Sequence, residues 1–121
     1  MPSPKPPLVL LEGSYQLMFG SLDELLGWVE AIDVRNGEYI VLDRDGRVIE
    51  LSAESDDGPV HSRATDNVNA AKLEAALREA VTGRAVRYGL IDADIGLQGM
   101  LEALWRVERP GTPFPSDIEQ R

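Results

Sequence analysis

His61 is the single histidine of the chain, and it stands beside Ser62, with Ser14 and a surplus of carboxylates elsewhere. A Ser–His–Asp relay needs a nucleophile lifted on a tight, glycine-flanked turn next to its base. No such glycines surround His61-Ser62, which sit in a polar stretch, so a solvent-facing loop histidine is the plainer reading. One histidine also rules out a two-histidine zinc or iron site, and the lack of cysteine removes disulfides and thiolate ligands. Asp43-Arg44-Asp45-Gly46 has the flavour of a calcium loop. With Gly46 in the glycine position of an EF-hand, however, the first and last ligands would be Val41 and Ser52, where acids are required. Gly96-Leu97-Gln98-Gly99 lacks both the spacing and the lysine of a phosphate-binding loop. Paired carboxylates abound in so acidic a chain and therefore carry no information. The expectation is a protein without catalytic residues, metal or cofactor, and not an enzyme.

What the chain does have is charge. Its 121 residues carry a formal net charge of −9. Between Leu22 and Asp57 lie eleven acids against three arginines, a balance of −8, so nearly all the excess falls in one segment. A surface of that sign repels phosphate backbones and suits a basic partner, although a merely solubilising surface has the same composition. The length fits one domain, able to remove roughly two-thirds of its unfolded surface from water. With 43% hydrophobic and 27% charged residues it reads as globular. The longest early apolar run is Leu8-Val9-Leu10-Leu11, and Met1 to Pro7 holds four prolines and one lysine, unlike a secretory signal. A cytoplasmic protein is expected.

The elements that must position these residues follow from pattern. Residues 1–7 read as an extended, proline-stiffened leader. Leu8 to Phe19 reads as one strand, bent or bulged at Gly13-Ser14. Ser21-Leu22-Asp23-Glu24 is a capping box, and Leu22, Leu25, Leu26 and Val29 form the stripe of a helix ending near Ala31. Asn36-Gly37 is a turn. Glu38–Asp43 and Arg47–Ala53 flank Asp43-Arg44-Asp45-Gly46 as a β-hairpin, with Ile40, Leu42, Ile49 and Leu51 on its buried face. Tyr39, Val41, Val48 and Glu50 take the other. Val60–Arg63 is a candidate short strand in an otherwise polar stretch. A second helix spans about Ala70 to Val81, capped by Asn67 or Asn69 and stopped by Gly83, with Leu73, Ala76, Leu77 and Ala80 inward. Ala85–Ile91 is a further strand candidate. Asp92 or Asp94 would cap a third helix through Leu97, Met100, Leu101, Leu104 and Trp105, ended by Pro110. Residues 111–121 read as a loosely attached tail. The fold class is thus a single α+β domain: a small antiparallel sheet with a central hairpin, packed against two or three helices.

The stretch from Gly20 to Ala53, with its capped acidic helix and EYIVLDRDGRVIEL hairpin, and the helix near Lys72 to Val81 resemble the immunity proteins of bacterial polymorphic toxin systems. The resemblance covers about half the chain and carries no catalytic motif. It implies a cytoplasmic inhibitor in interbacterial competition, holding a cognate toxin by occlusion. Independently of that likeness, toxins that attack nucleic acid carry basic clefts, which a focused acidic segment can enter. Asp23, Glu24, Glu30, Asp33, Glu38 and Glu50, with Trp28 or Tyr39 as aromatic anchor, are the expected docking face. Trp28 lies off its helix stripe, so it either packs under the hairpin or N-terminal strand or stands out as that anchor. The expected partner is a basic toxin, with no direct contact to nucleic acid or membrane. The alternative is a self-associating structural or adaptor domain, a homodimer through a strand edge or the third helix.

Overall fold

In a computed structural model of the chain, residues 3–13, 15–83 and 96–115 are described. The element order is β1 (Leu8–Glu12), β2 (Tyr15–Phe19), α1 (Leu22–Trp28), α2 (Ala31–Arg35), β3 (Ile40–Leu42), β4 (Arg47–Ala53), β5 (Val60–Val68), α3 (Ala70–Gly83) and α4 (Leu97–Glu108). The strands form one open antiparallel sheet in the order β2-β1-β3-β4-β5, so the α+β class read from the pattern is the one observed.

Helices cover both faces of this sheet. Leu73 and Leu77 of α3 with Met100, Leu101, Leu104 and Trp105 of α4 pack on Val9, Met18 and Leu42. Leu25 of α1 and Val29 just after it pack on Leu8, Leu10, Phe19, Val41 and Ile49 on the other side. Strand β1 lies between two layers, which is why Leu8-Val9-Leu10 is an unbroken apolar run rather than an alternation: all three side chains are buried.

Several expectations change at this level. The N-terminal segment is not one bent strand but a hairpin, because Gly13 takes φ +58 and Glu12 pairs with Tyr15. The first helix breaks at Val29, whose backbone turns extended, and the chain resumes as the short α2, for which five residues gave no periodicity to read. The central hairpin has the opposite parity: Val41 faces Ile49 and Leu42 faces Val48. A three-residue loop accounts for it. The Gly46 amide donates to the Asp43 carbonyl, Gly46 adopts φ +89, and the Asp43 amide bonds the Arg47 carbonyl, a turn that opposes residues of like parity. Tyr39, Val41, Ile49 and Leu51 therefore share the α1/α2 face, and Glu50 falls on the other.

Strand β5 runs on to Val68 instead of stopping near Arg63. Across the irregularity between Arg47 and Ile49, side chains hold the strands together. Thr65 Oγ1 donates to the Val48 carbonyl at 2.8 Å, and Arg47 donates to the Thr65 carbonyl at 2.7 Å. Helix α3 starts as read, with Asn69 Oδ1 accepting from the Lys72 amide. Its first residue lies so close to the hairpin turn that a Cβ on Gly46 would sit 2.7 Å from the Ala70 Cα. Helix α4 begins at Leu97 without a side-chain cap and ends before Pro110. The expected strand over residues 85–91 and the caps Asp92 and Asp94 lie outside the described residues.

Both termini of the described chain are tied down. The Asp43 carboxylate is fully buried and accepts from three backbone amides: Asp45 and Arg47 at 2.9 Å each and Lys5 at 3.1 Å. Those bonds satisfy it within the hairpin and anchor the proline segment. Within the tail read as loose over 111–121, residues 111–115 make contacts: Trp105 Nε1 donates to the Thr112 carbonyl at 2.9 Å, Phe114 meets the indole edge-on, and Pro115 is buried, while 116–121 lie outside the described residues.

Candidate functional site: an acidic and aromatic face

The α1/α2 side of the sheet gathers the residues with the most unbalanced charge. Glu12 ends β1 on the same sheet face as Leu8 and Leu10. Asp33 comes from α2, and Glu38 precedes β3. Carboxylate oxygens of these three residues lie within 4.8 Å of one another. Among the described residues no basic side chain is paired with any of them. The crowding has an electrostatic signature. The Glu38 carboxyl is held above the ordinary glutamate value, first by its hydrogen bond to Asp33, then by the charge of Asp33, with slight burial and Glu12 adding.

Tyr39 closes the group on one side. Its hydroxyl donates to Asp33 Oδ2 at 3.1 Å. Burial of the ring pushes its phenol up to about 12, the bond to Asp33 and the charges of Asp33 and Glu12 add, and the Glu30 backbone acts in the opposite sense. The Tyr39 ring stands 6.2 Å from Trp28, and Trp28 stands 5.8 Å from Phe19. Trp28 leans on the N-terminal sheet through Phe19, the packing reading of the two, and leaves 46% of its surface in solvent. On the far side of the carboxylates an open cleft of about 500 Å³ is lined by Glu12, Gly13, Tyr15 and Glu38. Tyr15 is 65% exposed, the most exposed of the large apolar side chains described.

Of the residues expected at the docking face, the fold brings Trp28, Asp33, Glu38 and Tyr39 together. Asp23, in the first turn of α1, and Glu30, which precedes α2, are exposed on the same layer. Two residues depart from the expectation. Glu24 is engaged by Arg109, which also donates to the Met18 carbonyl at 3.3 Å and stacks over Trp105. Glu50 projects from the opposite sheet face, as the hairpin parity requires, and is paired with Arg63 of β5. Sequence reasoning missed Glu12 and Tyr15. Their signal was Gly13-Ser14 between two apolar stretches, the mark of a two-residue hairpin that sets its flanking residues side by side.

Several other described acids are paired with bases, while Asp23, Glu30, Glu54 and Asp57 have no basic partner among the described residues. Arg35 bonds Asp56 at 2.6 Å, Lys5 lies 3.5 Å from Asp45, and Arg78 lies 3.1 Å from Glu74. His61 and Ser62 are consecutive residues of β5 and so project to opposite faces. No helix among the described residues is long and apolar enough to cross a membrane. No family model matches the chain, and no curated protein or solved structure is similar to it.

Proposed function

We propose that this is a non-catalytic binding protein that neutralises a cognate bacterial toxin by occluding it, the toxin being basic and directed at nucleic acid. One observation carries the reading: the Glu12, Asp33 and Glu38 carboxylates stand without basic partners beside half-exposed aromatic rings, while Glu24, Glu50 and Asp56 each have an arginine. Uncompensated charge of one sign raises the local concentration of a basic partner and speeds encounter. Exposed Trp28 supplies the kind of anchor on which binding energy concentrates. A protein evolved only for solubility has no need to set bare carboxylates against an exposed indole.

The test is to mix the purified chain with the toxin domain encoded by the neighbouring gene. The expected result is a stoichiometric complex, loss of toxin activity, and an association rate that falls steeply with added salt. Separate elution, with toxin activity undiminished at excess chain, would sink the proposal.

A second reading, self-association, has one observation in its favour. Strand β5 is nine residues long and forms an outer edge of the open sheet, the kind of edge on which a second copy can pair. Its exposed His61, Arg63 and Asp66 work against such pairing. A solution mass that doubles over a hundredfold concentration range would favour this reading.

A further inference from the structure

We infer that the face between Tyr15 and Trp28 docks an arginine-bearing segment of the partner, with a guanidinium seated over Glu12 and Glu38 against the Tyr15 ring. The inference rests on reading this side as the docking face and adds what the partner must present there. It starts from apolar surface rather than charge. Tyr15 and Trp28 are 65% and 46% exposed, rings of a size that soluble surfaces seldom leave bare in groups. They bracket one continuous strip. From Trp28 the strip runs through the Tyr39 ring at 6.2 Å to the Asp33 carboxylate bonded by its hydroxyl, then across Glu38 and Glu12 to Tyr15, the register partner of Glu12. Whatever covers the aromatic ends also desolvates the carboxylates between them, so an apolar or acidic occupant would bury bare charge at a large cost. The occupant has to bring positive charge.

Geometry selects arginine over lysine. The carboxylates come from three separate elements and converge within 4.8 Å, so a planar cation with donors on two edges can bridge two of them at once. The open cleft of about 500 Å³ beside them has the Tyr15 ring as one wall, and guanidinium planes stack on such rings while keeping their in-plane donors free. An ammonium is a point charge and uses only part of this arrangement. The raised Glu38 value fits the same picture, since a bound cation relieves the repulsion that causes it. The groups facing Glu38 are Asp33 from α2, Glu12 from β1 and, through the Asp33 bond, Tyr39. Binding should therefore weaken as pH falls and Glu38 takes up its proton.

The experiment is a titration of the isotope-labelled full chain, followed by amide and indole resonances. The probes are a blocked peptide alternating arginine with leucine, the same peptide with lysine for every arginine, and calcium chloride alone. Shifts at Glu12, Tyr15, Glu38 and the Trp28 indole are expected, with the arginine peptide several-fold tighter than the lysine one. The double variant Glu12→Gln/Glu38→Gln should lose about tenfold in affinity. Glu50→Gln, on the opposite sheet face, should change little. Removing two like charges relieves repulsion, so the double variant is expected to fold, which circular dichroism checks. Equal affinity for both peptides, shifts centred on Asp56 and Asp57, full binding by the double variant, or the same shifts from calcium at lower concentration would each overturn the inference. The two readings fail separately. A neutralising complex that leaves Tyr15 and Glu38 unshifted removes this inference and spares the function. Arginine-selective binding here, with no effect on the neighbouring toxin, does the reverse.

Discussion

The two helical layers on this sheet are built to different specifications. On one side α3 and α4, fourteen and twelve residues long, lay Leu73, Leu77, Met100, Leu101, Leu104 and Trp105 onto the strands, every one essentially without solvent contact. On the other side α1 and α2 have only seven and five residues, too short to hold a helix without tertiary support. They bury Leu25, Val29 and Ala31 and leave Trp28 and Ile32 exposed. The difference separates two tasks. A thick apolar layer holds the sheet, and the thin layer can then carry like charges at close range and half-covered rings, features that cost stability.

The sharpest way to break this comparison is to cut a cavity on each side. Leu77→Ala, at a fully buried site between α3 and the sheet, should cost about 2–5 kcal/mol in denaturant unfolding. Leu26→Ala, half-buried under α1, should cost on the order of 1 kcal/mol, because less apolar area leaves water to begin with. Equal losses would mean that both layers hold the sheet alike. Asp43→Ala comes next. It strands the amides of Lys5, Asp45 and Arg47 that now share one buried carboxylate, and a loss of roughly 2–3 kcal/mol is expected, without preference for either layer.

Those contrasts also show what could be read in advance. The start of α1 followed from a serine three residues before a glutamate, and Ser21 Oγ does accept from the Glu24 amide. Likewise Leu73 and Leu77, four apart, marked the inward stripe of α3, and Asn69 its cap. The hairpin turn was legible from Gly46, but its parity was not. Whether residues of like or unlike parity face each other depends on a single residue of loop length, which composition does not reveal. The sequence pattern shows only the start of β5, because a polar outer strand, tied by Thr65 and Arg47, lacks an apolar alternation to follow. For the site the limit was of another kind. Counting acids between Leu22 and Asp57 found Asp33 and Glu38 but passed over Glu12, which only the β1–β3 pairing carries to them. The same count included Glu24 and Glu50, whose arginines are distant in sequence.

Arg109 spans the two layers at the β2 edge, and its removal should sharpen the comparison in a second way. From the end of α4 it stacks on Trp105, caps the Met18 carbonyl and pairs with Glu24 of α1. Arg109→Ala should cost about 1 kcal/mol, since these contacts are partly exposed. It also frees Glu24 beside the acidic strip, so association with the arginine peptide should become faster and more salt-sensitive. Stopped-flow mixing at two ionic strengths reads this directly, and an unchanged rate would show that Glu24 adds nothing to the field of that face.

The smallest expected effect on stability separates folding from binding most cleanly. Glu38 has a folded-state value raised above the ordinary 4.5 by Asp33 and Glu12. For a carboxyl shifted upward, the protonated form is favoured in the folded chain. Its stabilising contribution is complete below the ordinary value and is lost as pH rises through the folded one. At neutral pH the charged Glu38 therefore works against the fold. Glu38→Gln should melt at a slightly higher temperature there, and the gap from the parent chain should close as pH falls below the ordinary glutamate range. Comparing the two chains at each pH cancels the many other carboxylates. The same substitution should weaken the arginine peptide at neutral pH. Opposite signs are what a group retained for recognition at the expense of stability has to show. If Glu38→Gln lowered the melting temperature at neutral pH, Glu38 would instead be part of the scaffold, and the division between the two layers would not extend to this carboxylate.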